Sequence, residues 1–263
     1  MSRVLRPGTG SPRVLVASGP DALARTAADL VVAAIAGAIG ARGVAHVALT
    51  GGSSASGLYR ELRTSERAGA VDWSRVHLWF GDDRVVPLAD ADSNAGLALR
   101  ELVAAPGLPV AGATVHPMLE GVDVADPDAG ALAAEAYAAE LALVPTDDGA
   151  PAFDLLLLGM GPDGHLLSVF PGSAALSADA PTVLAIPAPT HIGPSVPRVT
   201  LHPAVVAAAH AVLLSVGGAA KAAVVADVLR GDPAIEAYPA RLARIDSATW
   251  LLDPAASALL GAG

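Results

Sequence analysis

Cysteine is absent from all 263 residues. A disulfide framework, a thiolate metal site and a cysteine nucleophile are therefore excluded. Basic residues are scarce: Lys and Arg number 16 against 26 Asp and Glu, for a formal net charge of −10. General binders of nucleic acid or anionic membrane need basic patches, so neither partner is expected. An anionic ligand must instead be held by a few local donors. Long apolar runs are also missing. The most apolar early stretch, residues 30–39, stops at Gly40 and is shorter than the roughly 20 residues that span a bilayer. The opening MSRVLRPGTGSPRVLV contains no apolar signal region. A soluble cytoplasmic protein is expected.

What the chain does have is apolar bulk. Hydrophobic residues make up 53% and charged residues 16%, ample for a buried core. Aromatics are only 3%, so the mean hydropathy of +0.51 comes mainly from alanine-rich helices. Residues 1–263 are read as a single domain, with residues 1–12 expected to be flexible. Asp21, Arg25 and Asp29 recur at four-residue spacing, the polar stripe of a surface helix.

Short apolar runs alternate with helical patterns. Strands are predicted at 44–49, 76–80, 154–158, 183–186, 211–216 and 249–252. Helices are predicted at 53–67, near 94–103, at 126–144 and at 219–230, with a terminal helix starting at Pro254. Segments 104–112 and 187–197 are Pro/Gly-rich loops, the second long enough to cover a site. Strand, Gly-rich turn and helix recur, so the fold class is α/β: an open, mainly parallel twisted sheet with helices on both faces. In such sheets ligands bind outside the C-terminal strand ends, where these turns lie.

Three turns carry residues with chemistry. Thr50-Gly51-Gly52-Ser53-Ser54 follows a strand and opens a helix, whose free N–H groups attract an anion. It is equally what a tight turn with a serine N-cap would show. Gly81-Asp82-Asp83-Arg84 also follows a strand, and its Arg fork suits phosphate or carboxylate. An Asp N-cap with a surface ion pair accounts for it as well. In Gly159-Met160-Gly161-Pro162-Asp163-Gly164-His165, Asp163 and His165 flank Gly164 and can face one cleft, while Gly161 also supports the turn. A carboxylate beside an imidazole fixes its tautomer and raises its basicity, as a general base requires. Arg198 and Lys221, each after a Gly/Pro-rich turn, are further phosphate candidates; a lysine in the first turn of a helix opposes its dipole. His46 reads as a core histidine, and His191 as a loop histidine either solvated or touching ligand. No spacing resembles a metal motif, so no metal is expected.

In order, the segments LTGGSSASGLY, FGDDRVVPLADADSN, DLLLLGMGPDGHLLSVFPG, PRVTL, GGAAKA and YPARL resemble the 6-phosphogluconolactonases, over residues 49–242. The resemblance implies a fold similar to that of the glucosamine-6-phosphate deaminases. It implies hydrolysis of 6-phospho-D-glucono-1,5-lactone in the pentose phosphate pathway, without cofactor, by a monomer or small homo-oligomer. His165 would activate water and Asp163 would orient it. Thr50, Gly51, Gly52, Ser53, Arg198 and Lys221 would hold the phosphate with help from Arg84, and Asp82, Asp83, Gly161 and Gly164 would support them. Asp83 departs from the family's usual Glu, and His202 from its frequent Thr. The related deaminases carry an acid in the stretch after Asp-Gly-His; residues 166–172 here contain none. A deaminase is thus the alternative enzyme. A sugar-phosphate sensor would carry a basic DNA-binding module, which the first 40 residues do not resemble.

Overall fold

The computed structural model describes Leu5, residues 7–104 and residues 107–261. In chain order its first half comprises β1 (Arg13–Val16), α1 (Pro20–Arg42), β2 (Ala45–Leu49), α2 (Ser53–Leu62), α3 (Ser65–Gly69), β3 (Val76–Phe80), β4 (Asp82–Arg84), α4 (Asn94–Ala98) and β5 (Thr114–Val115). The second half comprises α5 (Ala129–Glu140), β6 (Thr146–Asp147), β7 (Ala150–Pro151), β8 (Leu155–Leu158), β9 (Val183–Ile186), β10 (Arg198–Leu201), α6 (Val205–Ala208), β11 (Val212–Val216), α7 (Ala222–Arg230) and β12 (Ala248–Leu252).

Seven strands form one sheet in the order β1-β12-β11-β8-β2-β3-β5. Every pairing in it is parallel. The central strands β2 and β8 are buried at every position, which is why β8 reads as an unbroken apolar run and β2 as one interrupted only by His46. From β2 the chain moves outward to β3 and β5; from β8 it moves the other way to β11 and β12. The strand order therefore reverses between β2 and β8, which opens a crevice at their C-terminal ends. A second, antiparallel sheet, β4-β10-β9, is joined to the first at Gly81, which bonds Leu49 O and Leu201 N.

Most of the expected helices form, but with altered extents, and α6 was not expected. α1 buries Leu23, Ala27, Val31, Ile35 and Ala38, a three- and four-residue spacing that lays one face on the core. At 23 residues it is long and apolar enough to cross a bilayer, beyond what the 30–39 stretch suggests, but that face packs as a core helix does. The expected helix 53–67 divides into α2 and α3 because Thr64 is extended, with ψ 140°. The 94–103 helix is α4 continued by a π-helical turn. Helix 126–144 begins only at Ala129, and the 219–230 helix starts as a 3₁₀ turn. No terminal helix forms from Pro254: residues 254–259 make turns capped by Asp253, which accepts from Ala256 N at 2.7 Å.

Of the expected flexible residues 1–12, Met1, Ser2, Arg3, Val4 and Arg6 lie outside the described residues, as do Ala105 and Pro106 of loop 104–112. The rest of the N-terminal stretch is tied down. Gly8 N bonds Arg241 O at 3.2 Å, Arg241 Nε donates to Gly8 O at 2.7 Å, and Ser11 N reaches Asp246 Oδ1 at 2.8 Å.

On the N-terminal half of β2 and β3 the core is imidazole-rich. His46 and His77 are paired neighbours with ring centroids 5.0 Å apart. His77 Nδ1 meets His116 Nε2 at 2.9 Å, and His116 stacks on Trp79 with centroids 3.8 Å apart. His46 accepts from Trp79 Nε1 at 3.1 Å, as a satisfied core histidine should. Asp154, paired with Arg42, accepts from His46 N at 2.7 Å, and Glu140 meets His116 Nδ1 at 2.5 Å. Burial, then the neighbouring His77, hold His46 below its ordinary value of 6.5 against the pull of Asp154. Burial and His116 do the same to His77.

The unfolded chain therefore binds more protons than the fold as pH drops below 6.5, and stability is lost in that direction. In His77→Gln that loss should shrink. The wild-type stability advantage, read from urea midpoints, should be larger at about pH 7.5 than at about pH 5. A pH-independent difference contradicts this account.

Candidate active site

The crevice at the β2/β8 reversal is a cavity. Thr50, Gly51, Gly52 and Ser53 form one wall, and Asp82, Arg84 and Arg198 another. Gly161 and His165 enter from the turn after β8, and Lys221 from the turn after β11. Ten of the sequence-predicted residues thus meet in one place. Asp163, Asp83 and Gly164 do not line the cavity; each stands behind a residue that does or shapes its turn.

Asp163 and His165 are joined by a hydrogen bond of 2.6 Å between Oδ1 and Nδ1. Burial opposes charge on Asp163, but the hydrogen bond and charge of His165, with a further hydrogen bond from His191, hold its carboxyl well below the usual range. An ionised carboxylate only accepts, so Nδ1 of a neutral His165 carries the proton. Nε2 is left with the lone pair, on a ring that lines the cavity. The turn admits this pair only because Gly161 lacks a Cβ, which would collide with the His165 ring and Asp163 Oδ1. Gly161 N bonds His165 O at 3.1 Å and so closes the turn around them.

Opposite this pair, Arg84 on β4 and Arg198 on β10 sit in direct cross-strand register. Like charges so placed repel, unless an anion lies between them. Arg84 Nη1 is fixed by Asn94 Oδ1 at 2.6 Å and Asp92 O at 2.9 Å, and Arg198 Nη2 by Pro194 O at 3.1 Å. The Nε of each is buried with no hydrogen-bond partner among the described residues. Burial, then Arg84, pull the Arg198 value down, against Asp82, Asp92 and Asp163. Burial also lowers Lys221, opposed by Asp253. Across the cavity, α2 begins with no side-chain cap, so its first-turn N–H groups remain available. The serine N-cap considered for this turn is not made. Together these groups suit a dianionic ligand.

The two adjacent acids have different jobs. Asp82 lines the cavity and accepts from Ser168 Oγ at 2.5 Å. Asp83 faces away and is fully buried. Its carboxylate takes Asn94 N at 2.6 Å, Arg84 N at 2.8 Å and Ala95 N at 2.9 Å, so it ties β4 to the start of α4. Burial pushes it up to about 6, although those N–H bonds favour its charge. This is a capping role achieved from a neighbouring strand.

Sequence reasoning missed Asn94 and Ser168; His191, read as either solvated or touching ligand, instead meets Asp163 Oδ2 at 2.9 Å. Asn94 Nδ2 donates to Asp82 O at 2.8 Å while Oδ1 holds Arg84, and a Cβ on Gly51 would strike Asn94. Ser93-Asn94 before an apolar run was a legible helix start, but its contact with Gly51 was not. Leu167, beside Ser168, takes a left-handed φ of 56°, which turns the chain so that Ser168 reaches Asp82.

Residues 18–251 match the family described as "Glucosamine-6-phosphate isomerases/6-phosphogluconolactonase". The chain is 38% identical to the 6-phosphogluconolactonase of Streptomyces coelicolor, over 95% of each chain. It is 36% identical to that of Rattus norvegicus, over 94% of this chain and 93% of the relative. Among solved structures, the 6-phosphogluconolactonase of Trypanosoma brucei superposes with TM-score 0.83 at 29% identity, covering 96% of this chain and all of that one. A monomeric glucosamine-6-phosphate deaminase shares the fold, with TM-score 0.72 at 19% identity, covering 94% of this chain and 99% of that one.

Replacing Asp83 with Ala should leave three N–H groups, two of them buried and one partly buried, without acceptors. We expect a loss of at least about 2 kcal/mol of stability, since each orphaned donor costs roughly 1–3 kcal/mol. Chemical denaturation checks this; a loss below about 0.5 kcal/mol contradicts the capping role.

Proposed function

The chain belongs to the glucosamine-6-phosphate isomerase/6-phosphogluconolactonase family, and we infer that it hydrolyses 6-phospho-D-glucono-1,5-lactone to 6-phosphogluconate in the oxidative pentose phosphate pathway. The observation that carries the mechanism is the Asp163–His165 pair, 2.6 Å apart, whose imidazole lines the same cavity as Arg84 and Arg198.

The chemistry follows from what each group can do. The phosphate of the substrate is held by the α2 N-terminus, the turn 50–53, Arg198 and Lys221, with Arg84 beside Arg198. This places the lactone carbonyl near His165. Nε2 takes a proton from water as its oxygen bonds to the carbonyl carbon. The carbonyl π pair moves onto oxygen, and the guanidinium field favours that negative charge. The N–H groups of Gly161 and Gly164 are engaged by His165 O and Gly161 O, so they are not the oxyanion donors. When the intermediate collapses, the bond from the carbonyl carbon to the ring oxygen breaks. His165 returns its proton to that oxygen, and the free acid loses its own proton to solvent. Asp163 holds the ring in the productive tautomer throughout. An activated ester, water and a base suffice, so the reading includes neither metal nor cofactor. The partner is the small-molecule lactone, handled in the cytoplasm by a monomer or small homo-oligomer, without nucleic acid or membrane.

The deaminase alternative is disfavoured by residues 166–172, which bring no carboxylate to the cavity. A lactonase assay, with spontaneous hydrolysis subtracted, tests the two readings beside ammonia release from glucosamine 6-phosphate. Lactone turnover without ammonia is expected; ammonia release without lactone turnover overturns the reading. His165→Ala should lose roughly 100- to 10,000-fold in turnover, and a rate within about threefold of wild type rejects it as the base. Arg198→Ala should raise KM by about tenfold or more with a smaller effect on kcat, as loss of a charge-assisted contact does. Reduced kcat at unchanged KM would move Arg198 from binding into the chemical step.

A further inference from the structure

Asp163 has a second partner. Its Oδ2 lies 2.9 Å from Nε2 of His191, in the loop between β9 and β10. The carboxylate thus sits between two imidazoles, His165 on one oxygen and His191 on the other. His191 does not line the cavity. Its ring is half exposed and rests edge-on against Phe170, 5.5 Å between centroids at 88°. Phe170 in turn packs edge-on against His165, at 4.9 Å. The two histidines are therefore braced by one carboxylate on one side and one phenyl ring on the other.

The loop that carries His191 is itself anchored. Ser195 Oγ donates to Pro189 O at 2.8 Å, and Arg198 Nη2 to Pro194 O at 3.1 Å. Ile192, next to His191, packs against the core. An anchored loop can present a donor at a fixed place. A carboxylate with one oxygen held by His165 alone can still rotate about its Cβ–Cγ bond. A donor on Oδ2 stops that rotation and keeps Oδ1 aimed at Nδ1.

We propose that His191 is a positioning residue for the lactonase reaction: it donates from Nε2 to Asp163 Oδ2, and so fixes the carboxylate that orients His165. This rests on the general-base reading of His165 above. His191 touches neither the substrate site nor the reacting atoms. Its effect belongs to kcat and passes through Asp163.

The test is a double-mutant cycle in the full-length enzyme, with kcat and KM measured for each variant. His191→Ala should lower kcat by roughly three- to tenfold at unchanged KM, the effect of one half-exposed hydrogen bond to a charged group. His191→Gln, whose amide nitrogen can stand where Nε2 stood, should restore most of the rate. In an Asp163→Asn background, His191→Ala should have no further effect beyond about 1.5-fold. Multiplicative loss in that background overturns the proposal, as does wild-type kcat in His191→Ala. A raised KM at constant kcat also overturns it, because His191 would then contact substrate. His165→Ala, run alongside, separates the two failures: if it keeps wild-type turnover, the general-base reading has failed, whereas its collapse with an inert His191 fails the positioning role alone.

Discussion

The site depends on one short hydrogen bond, between the Asp163 carboxylate and His165 Nδ1 at 2.6 Å. Two residues of separation are enough to bring these side chains together only in a tight turn. That turn needs a fixed base, and β8, four buried leucines at the centre of the sheet, provides it. It needs room for an imidazole over its own backbone, and Gly161 provides that. It needs a carboxylate that stays charged although half-buried, and two histidine donors outweigh the cost of its burial. A crevice follows from the topology, because β2 and β8 send the chain in opposite directions.

Charge explains the second sheet. A chain of net charge −10 has few cations to spare, yet three of them, Arg84, Arg198 and Lys221, reach one cavity. β4 and β10 place two guanidinium groups opposite each other, an arrangement that costs stability until an anion relieves it. Neighbouring acids restrain the repulsion without neutralising the cavity. Asp82 is held by Ser168 and Asn94, while Asp83 spends its charge on backbone N–H groups of α4. The local field can then attract a phosphate that the protein as a whole repels.

The parallel layout was legible because strands buried on both faces are largely apolar runs, and because β2, β8 and β11 each end in a Gly-rich turn. β1 was not legible: it is an edge strand with Val14 and Val16 exposed, and its RVLV has no alternation. β4 and β10 were not either, since DDR and PRVTL become strands only through partners distant in the chain: β10 pairs with both β4 and β9. Val183–Ile186 was legible as a strand but not as a member of the second sheet. In the site, residues within one turn could be read together, as Asp163 and His165 were. Asn94, Ser168 and His191 act across 12, 86 and 28 residues of chain, and no local pattern records such contacts. Asp83 was visible as an acid, but only its burial against α4 shows that it braces the site from behind.

The account turns on which nitrogen of His165 carries the proton. Nitrogen-15 spectroscopy of the His165 imidazole in the free protein reads this directly. In the neutral ring the account predicts a proton on Nδ1, directed at Asp163, and a bare Nε2 on the ring that lines the cavity. A neutral ring protonated on Nε2 would leave no lone pair for water and would contradict it.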